Sequence, residues 1–97
     1  MKRLTTVGEA QDEMAEAARF YESHRAGLGQ AFLRSVGDAV AEIQEHPSRW
    51  PLIDERTRRR LVRRFPFAVI YRDDPDEIVI LAVMHLHRRP GYWRDRV

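Results

Sequence analysis

Two clusters of side chains in the C-terminal half carry groups that do chemistry. Arg56, Arg58, Arg59, Arg60, Arg63 and Arg64 fall within nine residues. A guanidinium is planar, permanently charged and matches a carboxylate or a phosphate through paired N–H donors. Alternate residues of a strand share a face, so Arg60 and Arg64 would line one side and Arg59 and Arg63 the other. Such a run is either an anion-facing surface, for phosphates or an acidic partner, or a charged edge strand that blocks sheet-to-sheet pairing. The second cluster runs from His85 to Arg96 and holds two His, four Arg, Tyr92 and Trp93. That mixture stacks on bases, pairs with phosphates or moves protons. Alternatively, the two aromatics close the core and the arginines are solvated. His85 and His87 stand two apart, but no third ligand is near them, so a metal site is not expected. His24 and His46 fall at helix C-termini, where a partly charged imidazole is favourable, and neither is assigned a function.

Other chemistries find no support. No G-x-S-x-G element is present, and Gly27 and Gly29 follow no strand that could make them a phosphate loop. Asp73, Asp74, Asp76 and Glu77 read as solvated acids of a turn. The absence of cysteine excludes disulfides and thiolate zinc sites and suits a reducing cytoplasm. No apolar stretch follows Lys2 and Arg3, so no secretory leader is expected there. The apolar run from Ile78 to Met84 is too short to span a bilayer. Residues 1–50 carry 6 basic and 8 acidic side chains, and residues 51–97 carry 11 and 7. Sixteen of the seventeen basic residues are arginine, which fits either codon usage or anion recognition.

The elements that must position these groups are legible in outline. Lys2–Thr5 can form an edge strand. Thr6-Val7-Gly8-Glu9 fits a capping box, with Thr6 as N-cap and Glu9 reaching back. A helix to about Ser23 follows, with Ala10, Met14, Ala17 and Tyr21 on one face. Arg25-Ala26-Gly27 breaks it. A second helix carries Leu28, Phe32, Val36, Ala39, Val40 and Ile43 as one stripe and stops near Glu45, because Pro47 disfavours helical geometry at His46. Residues 47–57 read as a loop anchored by Trp50-Pro51. Strands are expected at Arg59–Arg64, Phe67–Arg72 and Ile78–His85, the last central and covered on both sides. The order β-α-α-β-β-β makes a single α+β domain over residues 1–97: a helical hairpin packed on a small antiparallel sheet.

With those elements in place, the chain resembles the RelE/ParE superfamily of type II toxin–antitoxin toxins. The resemblance rests on Glu16–Glu22, Gly27-Leu28-Gly29 and Phe32-Leu33 in the helical hairpin. It continues through Arg63–Arg72 and Ile78–Met84, with the following His85 and Arg88-Arg89-Pro90. It covers nearly the whole chain, from about Ala10 to Arg96, and the element order agrees.

The resemblance implies a cytoplasmic toxin neutralised by an antitoxin encoded beside it, the antitoxin wrapping the toxin with a partly disordered segment. RelE-like members cleave ribosome-bound mRNA; ParE-like members poison DNA gyrase. The sequence departs from the RelE pattern. Ala68 stands where RelE enzymes carry an arginine on the middle strand. His87 falls near their arginine after the last strand, and Trp93 near their tail tyrosine. Their strand lysines are replaced here by arginines or apolar residues. Arginine is a poor general base. A ParE-like toxin that binds gyrase is therefore the expected function, with no catalytic role. Its target surface is expected to comprise Arg60, Arg64, Arg72, Arg88, Arg89, Tyr92, Trp93 and Arg94. The alternative is an mRNA endoribonuclease with His87 or His85 as acid or base. Neither reading calls for a cofactor, a metal or a membrane. A homodimer through the first helix and a toxin–antitoxin hetero-oligomer are both compatible with the sequence.

Overall fold

The computed structural model describes residues 2–96. The elements follow the expected order: β1 (Arg3–Thr6), α1 (Gly8–His24), α2 (Leu28–Glu45), β2 (Thr57–Leu61), β3 (Phe67–Asp73) and β4 (Glu77–His85). The fold is α+β, with the helical hairpin on one side of the sheet. The three C-terminal strands are antiparallel, as expected. β1 adds parallel to β4, so the four-stranded sheet is mixed, in the order β1-β4-β3-β2. β4 lies between β1 and β3, and every residue from Ile78 to Met84 is buried.

The expected capping box does not form. Thr6 is still in β1, paired with Ile80. The helix is instead entered through Val7, which caps without a side-chain bond. The Val7 N–H is held by Ile80 O at 3.1 Å, so sheet pairing wins over the local cap. At the far end of α1, Glu22 supplies a cap for the other helix. Its carboxylate accepts the N–H groups of Gly27 (3.0 Å) and Gly29 (3.0 Å) at the start of α2, where donors lack intrahelical partners. Gly27 makes the turn in the left-handed region (φ 88°). Gly29 lets the helices touch: a Cβ there would lie 2.6 Å from Ala18 O.

The apolar stripes pack as the periodicity demands. Ala10 from α1 and Phe32, Val36, Ala39 and Ile43 from α2 are buried. Met14, Ala17, Tyr21, Leu28 and Val40 border that core. Tyr21, Phe32, Phe65 and Phe67 meet with ring centroids 4.9–6.2 Å apart, mostly edge to face, a favoured aromatic geometry.

β2 departs from its expected bounds. It begins at Thr57, where the Asp54 carboxylate accepts the Arg56 (3.0 Å) and Thr57 (2.9 Å) amides. It ends at Leu61, before Arg64, which takes φ 75° in the connection to β3. Its outer edge is partly covered by the chain's own loop, through Ile53 N–H to Thr57 O and Arg59 N–H to Pro51 O. In β4, Ala82 pairs with Ile70 and Ile80 with Tyr71, leaving Leu81 as a bulge. Among the described residues, no helix is long and apolar enough to cross a membrane.

Candidate macromolecule-binding face

The arginines of β2 divide between the two sides of the sheet. Arg58 and Arg60 point toward the helices. Arg58 donates to Ser48 O and Trp50 O. Arg60 pairs with Glu42 of α2, donates to Leu61 O and stacks 5.1 Å from the Trp50 ring. The Arg60 hydrogen bond is the leading cause that holds the Glu42 carboxyl below its ordinary range. Arg60 and Arg64 therefore do not share a free face. The side chain of Arg60 is 11% exposed and ties β2 to α2; Arg64 lies outside the strand. Thr57, Arg59 and Leu61 face the other way.

On that second side the C-terminal segment folds back over the sheet. Trp93 is 3% exposed and sits beside Thr57, Arg72 and Leu81. It closes the core instead of offering a stacking platform. The segment is fastened by one carboxylate. Glu13 of α1 accepts the Tyr92 hydroxyl (2.6 Å) and two bonds from Arg96 (2.9 and 3.1 Å). It also accepts the Val83 N–H at 3.1 Å, and Arg96 donates to Leu81 O at 3.1 Å. Together Glu13 and Arg96 satisfy the edge of β4 beyond the point where β1 stops. Burial first, then the bond to Glu13, pushes the Tyr92 phenol upward.

A cavity of about 540 Å³ opens beside Trp93, lined in part by Arg56, Arg72, Arg94 and Arg96. Its cations are matched by the chain's own acids. Arg72 holds Asp74 at 2.9 Å, Arg56 reaches Asp74 at 3.5 Å, and Arg94 reaches Asp54 at 3.8 Å. The Arg56 amide is the leading cause that keeps Asp54 below the ordinary carboxylate range.

The tail histidines stand elsewhere. His85 packs against Phe67 on the helix side, with ring centroids 5.1 Å apart, and His87 lies against His85 at 5.0 Å. The His87 N–H donates to His85 Nδ1. Neither ring lines the arginine cavity. Arg88 stacks 3.9 Å from the Tyr92 ring; Arg89 is exposed. Of the expected surface, Arg72, Trp93 and Arg94 thus come together around the cavity. Arg64, Arg88 and Arg89 gather at one end of the sheet, and Arg60 belongs to neither group. Sequence reasoning placed Arg56 in the arginine cluster but not in the target surface, and missed Glu13, Asp54 and Asp74 as organisers of this face. Glu13 is 79 positions from Tyr92 and carries no local signal of that contact.

No curated protein matches the chain by sequence. Among solved structures, a protein described as the chromosomal ParDE TA system from P. aeruginosa superposes with a TM-score of 0.67 at 19% identity. The match covers 90% of this chain and 98% of that one. At that identity the likeness establishes the shared fold. The family description "ParE toxin of type II toxin-antitoxin system, parDE" matches residues 7–90, from the start of α1 through all three C-terminal strands into the tail. The chain therefore belongs to the ParE toxin family of type II toxin–antitoxin systems.

Proposed function

We propose that the chain arrests growth by binding DNA gyrase in the cytoplasm, and that an antitoxin encoded by the adjacent gene neutralises it by binding the toxin. The observation that carries this reading is that the histidines stand apart from the arginine cavity, and that the smaller pocket where His85 meets Arg88 and Tyr92 is also lined by Glu13 and Glu16, whose carboxylates oppose a phosphate. Cleavage of RNA by proton transfer needs a base within hydrogen-bond reach of the group it activates, beside the charge that steadies the phosphate. The cavity offers guanidiniums, which remain protonated, and these already face Asp54 and Asp74. His85 lies across the sheet against Phe67. A surface of fixed charges and apolar groups favours binding over chemistry. The ParDE description of the structural relative supports an antitoxin partner for this chain too.

A supercoiling assay with purified toxin and gyrase tests the target. Inhibition is expected to rise with toxin concentration and to be reversed by the adjacent gene's product. Full supercoiling at a large excess of folded toxin would remove gyrase from the account.

A further inference from the structure

We infer that the end of the sheet built from the β2–β3 connection and the residues after β4 docks an acidic segment of a protein partner that also presents aliphatic side chains; this deepens the toxin reading and rests on it for biological meaning. The molecule is electrically divided along its strands. At the β3–β4 turn, Asp73, Asp74 and Glu77 are met by Lys2, Arg56, Arg72 and Arg3. At the opposite end Arg64, Arg88 and Arg89 are exposed and, among the described residues, none has a carboxylate within ion-pair distance. The two segments that carry them are held side by side, with the Leu86 N–H on Pro66 O at 2.9 Å.

The geometry of these cations suits a fork-like acceptor. The Arg64 guanidinium lies 5.5 Å from the Phe65 ring centre and that of Arg88 3.9 Å from Tyr92. A ring against one flat face leaves the in-plane N–H edges for a carboxylate or phosphate. The neighbours decide between these. Leu61 and Leu86, 48% and 40% exposed, flank the start of β3 at this same end. A phosphodiester backbone gives them nothing to bury, whereas an acidic peptide with aliphatic residues satisfies both kinds of group. In a second copy Asp73, Asp74 and Glu77 are already paired internally; self-association abolished by the Arg64→Glu/Arg89→Glu variant in analytical ultracentrifugation would instead make a second copy the occupant and overturn the inference.

Fluorescence anisotropy with three labelled probes tests the inference: a 12-residue peptide of alternating Glu and Leu, a Glu/Ser peptide of equal charge, and a 12-nucleotide single-stranded RNA. The Glu/Leu peptide is expected to bind best. The doubly reversed variant Arg64→Glu/Arg89→Glu should weaken it by at least roughly tenfold, and Leu61→Ser with Leu86→Ser should erase its advantage over Glu/Ser. Arg19→Glu/Arg34→Glu, two exposed arginines on the helices, changes the net charge by the same amount and controls for it; circular dichroism checks that each variant is folded. Tighter binding of the RNA, or equal losses in Arg19→Glu/Arg34→Glu and Arg64→Glu/Arg89→Glu, would overturn the inference. No gyrase or antitoxin enters this measurement, so it can fail while the supercoiling assay succeeds, and the reverse.

Discussion

Replacing Glu13 should release the C-terminal segment without dissolving the sheet. Its carboxylate accepts from Val83, Tyr92 and Arg96, and the Glu13 and Arg96 side chains are 15% and 14% exposed. Removing one partner of a buried ion pair costs about 3–5 kcal/mol when the other stays buried. Here the other partner can leave. Residues 88–96 follow the last strand, so Arg96 and Tyr92 can return to water if the segment lifts. The loss is then limited to what seating the segment contributes. Burial of Trp93 supplies roughly 2–3 kcal/mol of that, so Glu13→Ala is expected to cost about 3 kcal/mol. For a domain of this size the melting temperature should fall by roughly 10–20 °C. Hydrogen exchange separates the modes. The amides of 88–96 and of Val83 should exchange faster, while those of β3 keep their protection. Arg96→Ala should reproduce the pattern, and the double variant should cost less than the two single losses together. Unchanged protection of 88–96 in folded Glu13→Ala would refute the clamp.

Two further predictions concern the scaffold. Gly29→Ala forces a methyl toward Ala18 O, a backbone atom 2.6 Å from the new Cβ; the helices must part, at a cost of about 1–3 kcal/mol, read as a lower urea midpoint. A midpoint equal to that of the parent would mean the hairpin has slack there. The second prediction is alkaline. Burial raises Tyr71 to about 12, with Arg58 opposing and Asp73 adding, and burial also raises Tyr21 and Tyr92. The unfolded chain gives up its phenol protons near pH ~10 while the folded chain keeps them. Stability is therefore complete below that pH and is lost as pH rises toward 12. Tyrosinate absorbance should appear together with the loss of far-ultraviolet dichroism; ionisation of all three near pH ~10 with the dichroism intact would contradict the packing.

Much of the fold was legible because its signals are local or periodic. The step of four, four and three from Phe32 through Val36 to Ile43 specifies a helix face without reference to anything distant. The unbroken apolar run from Ile78 to Met84 is short, β-branched and preceded by a turn signal, which favours a covered strand. Misreadings arose where a distant partner overrode a local pattern. Thr6 has the sequence of a helix cap, but Ile80 claims it for the sheet. Arg59–Arg64 looks like one strand, yet Asp54 starts β2 early and the chain turns at Arg64. The candidate face was harder still. Tyr92, Trp93 and the tail arginines were visible as residue types, whereas their anchor lies on α1 and is acidic. Nothing in the spacing of Glu13 distinguishes it from the solvated acids around it.

The arginine excess resolves into groups with different duties, and this matters for any search for the target site. One group is structural. Arg60 bridges β2 to α2, Arg72 joins the acidic turn, and Arg96 completes the edge of β4. Arginine suits these places because a single guanidinium bonds to several acceptors at fixed angles, which a lysine cannot do. Reversing such a residue weakens function by damaging the fold, so a loss of toxicity there identifies no interface. The other group, Arg59, Arg64, Arg88 and Arg89, is exposed and has no ion-pair partner among the described residues. Reversal of Arg59 or Arg89 should leave the melting temperature nearly unchanged, since exposed substitutions away from special contacts usually shift stability by less than ~0.5 kcal/mol, whereas Arg64 and Arg88 also stack on Phe65 and Tyr92 and their reversal should lower it more. A variant that loses its target while keeping its stability separates recognition from architecture, and this second group is where such variants should be found.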